Sequence, residues 1–237
     1  MTTKKQIIAH WSHKFKMSPE NFENKGTSFF PRLHLNKHQR VIIFQTQKHS
    51  FIFYPDVHTK LFSRFGTSNE LIGAKELNLY FSSLSLEQRG TDYYFYWMTD
   101  NPQYETAINM RLLQSSDQAA LFSLQESVTN YEKKLGDINI EHPVVIGWFS
   151  DSKLLCVGSL IIEDEIADIG ILTHPQARGK GIGKRVVRAL IVEGLKINKI
   201  VQYTSMQKNT ASVRLAKSLG FKRFATETYW NINVSHK

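Results

Sequence analysis

The sequence predicts an α/β (α+β) protein, a mixed sheet flanked by helices with a smaller α/β domain ahead of it. Three observations carry that expectation. From Val144 to Leu172, β-forming residues recur in short runs separated by polar turns. Beyond them the apolar period changes: Ile182, Val186, Val187, Leu190, Ile191 and Leu195 fall at helical spacing. Between the two lies Asp168 to Lys184, DIGILTHPQARGKGIGK, a strand joined to a helix by a basic turn with three glycines.

Taken in order, residues 3–16 place Ile7, Ile8, Trp11 and Phe15 on one face of an opening helix. Ser18-Pro19 reads as an N-cap followed by proline in the first helical position. Val41–Phe44 and Phe51–Tyr54 are short β-rich runs, expected to pair. Residues 56–65 read as a helix capped by Asp56, and 91–98 as a strand dense in aromatics. Asp100-Asn101-Pro102 breaks the pattern, so 99–106 is the expected junction between domains 1–105 and 106–237.

In the second half, Ile108–Leu113 reads as a strand. Ser115 opens a helix, with Gln118 as the partner in a capping box and Ala120, Leu121, Leu124 and Val128 on its face. Strands follow at Val144–Phe149, Leu154–Ile162 and 166–173, joined by turns at 151–153 and 163–165. A helix at 181–196 leads to a strand at Ile200–Ser205 and a helix from Asn209. Gly220 sits where a left-handed C-cap belongs, with Phe221 as its hydrophobic contact. A last strand runs from about 222 to 233.

The 237 residues are 41% apolar, enough for a sizeable core. The net charge of +9 is spread along the chain, with 13 basic against 9 acidic residues in 1–105 and 17 against 12 in 106–237. There is no basic tail and no nucleic-acid motif, so nucleic acid is not the expected partner. Cys156 is the only cysteine, which excludes an internal disulfide and a cysteine-based metal cluster. The first sixteen residues lack the apolar core of a secretory signal, and no run approaches the ~20 apolar residues of a membrane span. The expectation is a cytoplasmic protein that does not engage a membrane.

A glycine-rich turn between a strand and a helix collects free backbone N–H groups at the positive end of a helix dipole. Arg178, Lys180, Lys184, Arg185 and Arg188 surround this one, and no acidic residue lies between Asp168 and Glu193. It reads as the seat of a phosphate-bearing cofactor. A P-loop would need four residues between its first glycine and Gly-Lys-Ser/Thr, and counting five positions on from Gly179 reaches Lys184. The dinucleotide fingerprint fails as well, because Gly179 and Gly181 are followed by Lys184, and Gly181 and Gly183 by Val186. What remains is Arg178-Gly179-Lys180-Gly181-Ile182-Gly183.

With those residues in view, 166–195 resembles the acetyl-CoA-binding signature of the GNAT family of N-acetyltransferases. Asn209–Phe221, NTASVRLAKSLGF, resembles that family's second signature, and the element order from about 106 to 237 is similar to its fold. More faintly, 1–105 resembles an accessory, degenerate GNAT-like domain of some bacterial members. The resemblance implies a mostly antiparallel sheet and acetyl-CoA as cofactor. It implies that the N–H groups of about 179–184, over Gly179, Lys180, Gly181, Ile182, Gly183 and Lys184, bind the pyrophosphate with help from Arg178. It also implies that Leu172 and Thr173 present main-chain groups to the pantetheine arm, that the strands at 166–173 and 200–205 splay to admit it, and that Asn209 and Ser212 lie beside it.

Acetyl transfer needs a neutral amine and a proton for the departing thiolate. Asp168, on the cofactor strand, is the candidate base; its bland reading is an ion pair or a solvated edge. The family often places a tyrosine acid where this sequence has Ala216. Tyr203 is the candidate substitute and Tyr229 a second one, though sheet aromatics are more often packing residues. Glu126 reads as a solvated helix residue, His174 as a turn residue and Cys156 as a small buried hydrophobe. His10, His13, His34, His38, His49 and His58 show no ligand spacing, so no metal is expected. Tyr93 to Trp97 are expected to serve core and interface rather than base stacking.

The expected function is direct transfer of an acetyl group to the primary amine of a small molecule or peptide, with a homodimer as one compatible assembly. Ala216 keeps a second reading open, an acyl-CoA-binding regulatory or interaction module with weakened catalysis.

Overall fold

The computed structural model describes residues 3–62, 70–84, 86–99, 102 and 107–232. The helices are α1 (Thr3–Phe15), α2 (Glu20–Glu23), α3 (Thr59–Phe62), α4 (Ala74–Ser83), α5 (Gln118–Glu126), α6 (Asn130–Gly136), α7 (Ile182–Lys196) and α8 (Thr210–Leu219). The strands are β1 (Gly26–Arg32), β2 (Arg40–Gln45), β3 (His49–Pro55), β4 (Leu86–Tyr96), β5 (Met110–Leu112), β6 (Val144–Ser150), β7 (Lys153–Glu163), β8 (Ile166–Thr173), β9 (Ile200–Met206) and β10 (Lys222–Ile232). Among the described residues, no helix is long and apolar enough to cross a membrane.

The chain forms two compact units that do not simply divide at residue 105. One takes the described residues through Phe95, Ser205–Val213 and those from Arg223 onward; the other takes Tyr96–Thr204 and Arg214–Lys222. Within the expected junction, residues 100, 101 and 103–106 lie outside those described.

In the first unit the strands run in the order β1, β3, β2, β10, β4. β2 and β3 pair antiparallel as expected, Ile42 opposite Phe53 and Phe44 opposite Phe51. Every residue of β3 is buried, which is why it reads as a continuous apolar run rather than an alternating one. On one face α1 lays down Ile7, Ile8 and Trp11, with the Trp11 ring 4.3 Å from Phe44 and 4.9 Å from Tyr94. On the other, Val41, Ile43, Ile52 and Tyr54 meet Phe62, Leu77 and Phe81. Among the elements of this unit that went unread in the sequence are β1 and α4. β1 carries Pro31, which argues against a strand, yet β1 ends the sheet and pairs parallel with β3, where a missing N–H is tolerated. Among its described side chains α4 buries only Leu77 and Phe81, too narrow a stripe to stand out.

In the second unit the order is β9, β8, β7, β6, β5. β5 through β8 are antiparallel neighbours, and β8 and β9 are parallel over Ile166–Asp168 against Ile200–Gln202. The sheet is therefore mixed and mostly antiparallel, flanked by helices. α7 covers one face, with Val186 and Leu190 packed over Gly158 and Gly194 packed over Val201. α5 and α6 cover the other, where Leu121, Leu124 and Ile138 meet Val145, Val157 and Leu172. α6 packs on bare backbone: a Cβ at Gly170 would stand 2.1 Å from the Gly136 carbonyl oxygen.

Two local expectations are corrected. The box at the start of the 115–126 helix is Gln114 with Asp117, not Ser115 with Gln118, because Asp117 Oδ2 takes the Gln114 N–H at 2.9 Å while Arg111 grips the same carboxylate. Ile108–Leu113 shortens to three paired residues, and Ile108 is exposed. The helix expected at 56–65 is a 3-10 turn (Asp56–His58) followed by α3, its N-cap residue is Pro55, and the Asp56 carboxylate accepts from Asn36 Nδ2; residues 63–69 lie outside those described.

Candidate active site

β8 ends at Thr173, and His174-Pro175 opens a 3-10 turn over Pro175–Ala177. His174 caps that turn itself, its Nδ1 accepting the Gln176 N–H at 3.2 Å. Burial, with the charges of Lys153 and Arg178, pushes its imidazole below the ordinary value. The chain then passes through Gly179 and Gly181, at φ +76° and +74°, a region that L side chains adopt only with strain. Gly181 is the N-cap residue of α7, and its carbonyl accepts the Arg185 N–H at 3.3 Å.

The backbone N–H groups from Gly179 to Lys184 find no backbone acceptor among the described residues. They stand at the positive end of a fifteen-residue helix. Gly179, Lys180 and Gly181 are exposed, and Ile182, Gly183 and Lys184 half-buried. This donor set fits a pyrophosphate in kind. Gly183 differs from Gly179 and Gly181. It lies in the first turn of α7 without positive φ, and a Cβ there would touch only Thr173 Oγ1 at 3.5 Å and Ile171 Cδ1 at 3.6 Å, ordinary contacts.

Arg178 is less free than its sequence suggests. Its Nη2 pairs with Glu132 Oε1 at 2.8 Å, and its Nε donates to the Thr173 carbonyl at 3.3 Å. Glu132 Oε2 in turn accepts the Thr129 N–H at 2.9 Å in the capping box of α6. The Thr129 N–H, the Thr129 hydroxyl and Arg178 together hold the Glu132 carboxyl below its ordinary value. Glu132 was missed in the sequence, although Thr129-x-x-Glu132 is a visible capping signature.

β8 and β9 leave each other after the Asp168–Gln202 pair, so Ile169–Thr173 have no partner on β9. Leu172 is buried under α5 and α6, and Thr173 is half-buried with its hydroxyl 3.3 Å from Cys156 Sγ. Asp168 sits at the point of separation. Its Oδ1 accepts the N–H groups of Ile169 and Thr204, each at 3.0 Å. Gln202 Nε2 donates to Thr204 Oγ1 at 3.0 Å, and the Tyr96 hydroxyl donates to Gln202 Oε1. Burial raises the Asp168 carboxyl above its ordinary value, opposed by donors from Thr204, Gln202 and Ile169.

The two expected catalytic side chains are not brought together. Asp168 shares a sheet face with its partner Gln202, and alternation turns Tyr203 to the other. There the Tyr203 ring is fully buried, edge-on to Phe221 at 5.7 Å between centroids. Tyr229, in the first unit, donates its hydroxyl to Glu227 Oε2 at 2.6 Å, and burial beside that carboxylate pushes its ionisation upward. Ala216 is buried in α8. Cys156 is buried and its thiol is pushed up to about 12, which removes it as a nucleophile. Glu126 pairs with Lys133 at the surface.

Asn209 and Ser212 fall in the first compact unit. Asn209 Oδ1 accepts the Ser212 N–H at 3.2 Å, so its carboxamide caps α8. The helix closes as expected, Phe221 N–H to the Ala216 carbonyl and Gly220 N–H to that of Lys217. The histidines serve locally: buried His49 bonds Ser28 Oγ at 3.0 Å, and His58 bonds Gln39 at 2.6 Å. Among the described residues, no group of three or more His, Cys, Asp and Glu side chains is placed to hold a metal.

β8 and β9 thus form a splayed parallel pair, and β8 runs into a donor-rich turn. Residues 110–221 match the family model described as acetyltransferase (GNAT) family, and the chain carries a GNAT domain there, the domain of an acyltransferase enzyme. Among solved structures, the chain is similar to an acetyltransferase from the GNAT family of Colwellia psychrerythraea, with 19% identity, a TM-score of 0.50, and coverage of 74% of this chain and 70% of that one. It is also similar to a GCN5-related N-acetyltransferase from Sphaerobacter thermophilus, with 10% identity, a TM-score of 0.50, and coverage of 66% and 56%. At these identities the likeness is one of fold. No curated protein matches the chain.

Proposed function

We propose that this protein moves an acetyl group from acetyl-CoA directly to a primary amine of a small molecule or peptide. In this reading residues 106–237 form the catalytic domain and 1–105 an accessory one. The observation that carries it is the run of unaccepted N–H groups from Gly179 to Lys184 beside the open end of β8. Acetyl-CoA would supply an activated acyl carbon. The residues of this chain would hold it: the turn N–H groups and Lys180 on the phosphates, and main-chain groups of Leu172 and Thr173 along the pantetheine arm. The amine nitrogen forms a bond to the acyl carbon as the carbon–sulfur bond breaks, and the proton lost by the amine balances the one gained by the thiolate.

The test is calorimetric. The Arg178→Ala, Lys180→Ala double variant should bind acetyl-CoA much more weakly than the parent, and unchanged affinity removes the cofactor assignment. A broad amine panel with detection of free CoA then looks for turnover. One observation favours a second reading: buried Ala216 leaves α8 without the hydroxyl that would return a proton. A chain that binds acetyl-CoA yet turns over no amine would be a binding or regulatory module.

A further inference from the structure

The parallel ladder between β8 and β9 has a definite phase. The Ile200 N–H bonds the Glu165 carbonyl at 2.9 Å, and the register then pairs Ile166 with Ile200, Ala167 with Val201 and Asp168 with Gln202. Residues alternate in turning their backbone groups toward a parallel neighbour, so the next rung in this phase would carry the Thr204 N–H to the Ile169 carbonyl. The pairing stops there. The Thr204 N–H goes instead to Asp168 Oδ1, at 3.0 Å. The same oxygen lies 3.0 Å from the Ile169 N–H, so one carboxylate oxygen takes donors from both arms at the fork. Gln202, held by the Tyr96 hydroxyl, donates to Thr204 Oγ1 and fixes the same residue from the side.

We infer that Asp168 is a positioning residue that ends the β8–β9 ladder and holds the fork open, rather than the proton acceptor of the reaction. A fully buried N–H without an acceptor costs about 1–3 kcal/mol, and Thr204 and Asp168 are half-buried at the fork, so the donor released where the strands part is stabilised by a side-chain acceptor. Asp168 does so for Thr204, and the strands diverge immediately beyond it. The inference rests on the proposed acetyl-CoA reading, in which the open fork admits the pantetheine arm.

Asp168→Asn keeps an oxygen able to accept both N–H groups and removes the basic carboxylate; Asp168→Ala removes both. Three readouts separate the roles: CoA affinity by calorimetry, hydrogen exchange at the Thr204 amide, and the pH profile of turnover on any amine the protein accepts. A positioning residue predicts that Asp168→Asn stays within about threefold of the parent in CoA affinity and turnover, with an unchanged pH profile. Asp168→Ala should lose at least about tenfold in CoA affinity and expose the Thr204 amide to exchange. Turnover abolished in Asp168→Asn with CoA affinity intact would overturn the inference in favour of a base. An unchanged Thr204 amide in a folded Asp168→Ala protein would also overturn it. If Asp168→Ala does not fold, the Asn variant alone still discriminates. If the parent protein binds no CoA, the acetyl-CoA reading falls, whereas Thr204 exchange still tests the clamp.

Discussion

Arg178 Nη2 stands 2.8 Å from Glu132 Oε1, so the glycine turn ahead of α7 is tied to the first turn of α6. The pair is partly exposed, with side chains 47% and 34% accessible, which places it among ion pairs worth about 0–1 kcal/mol. Its interest is competitive. An anionic ligand in the turn and the Glu132 carboxylate seek the same guanidinium. Glu132→Gln keeps an oxygen for the Thr129 N–H and removes the charge. Calorimetry should show CoA binding tightened about two- to fivefold, the most that a pair of this worth returns. Weaker binding would mean that Glu132 supports the turn instead of competing for it.

The three glycines of the turn should behave differently under substitution. Gly181→Ala places a Cβ at φ +74° and should cost about 1–2 kcal/mol of stability in denaturant melts. Gly183→Ala enters helical backbone with only ordinary contacts and should be neutral, or stabilising by about 0.5–1 kcal/mol. If Gly183→Ala nonetheless weakens CoA binding, its bareness serves the ligand and not the fold.

The acid limb of stability should include Asp117. Two hydrogen bonds from Arg111, at 2.6 and 2.7 Å, together with the Gln114 N–H, hold its carboxyl near about 2, below the ordinary 3.8. A lowered folded-state value means that the contribution is complete above about pH 4 and is lost as pH falls toward 2. Arg111→Ala should remove most of that dependence. Urea melts of parent and variant between pH 2 and 5 would then converge at the acid end; parallel curves would show that the pair contributes nothing to the acid dependence.

What could be read in the sequence was local. Asp168 to Lys184 announces itself because its apolar period changes from 2 to 3.6 across a glycine turn, and strand, turn and helix appear where that change puts them. The closure of α8 at Gly220-Phe221 was legible for the same reason, since both bonds reach back within six residues. β1 was not legible, because Pro31 is acceptable only at the edge of a sheet and edge position is a property of the whole sheet. The cap of the 115–126 helix was misread by one residue: Asp117, bridged by Arg111 six positions earlier, takes the Gln114 N–H in place of the expected Gln118.

Candidate residues divide along the same line. Sequence alone determined the order of the strands and of α5, α7 and α8 in the GNAT domain, the left-handed Gly220, and a turn whose donors suit a phosphate, all consequences of neighbouring residues and backbone sterics, while α6 between α5 and β6 went unread. Only the tertiary structure decided that Arg178 is engaged by Glu132, that Asp168 and Tyr203 face opposite sides of the sheet, and that Asp168 spends its carboxylate on Thr204, thirty-six residues away. The physical reason is that a side chain's type states which bonds it can make. Which of them it makes depends on the donors that folding brings within 3 Å.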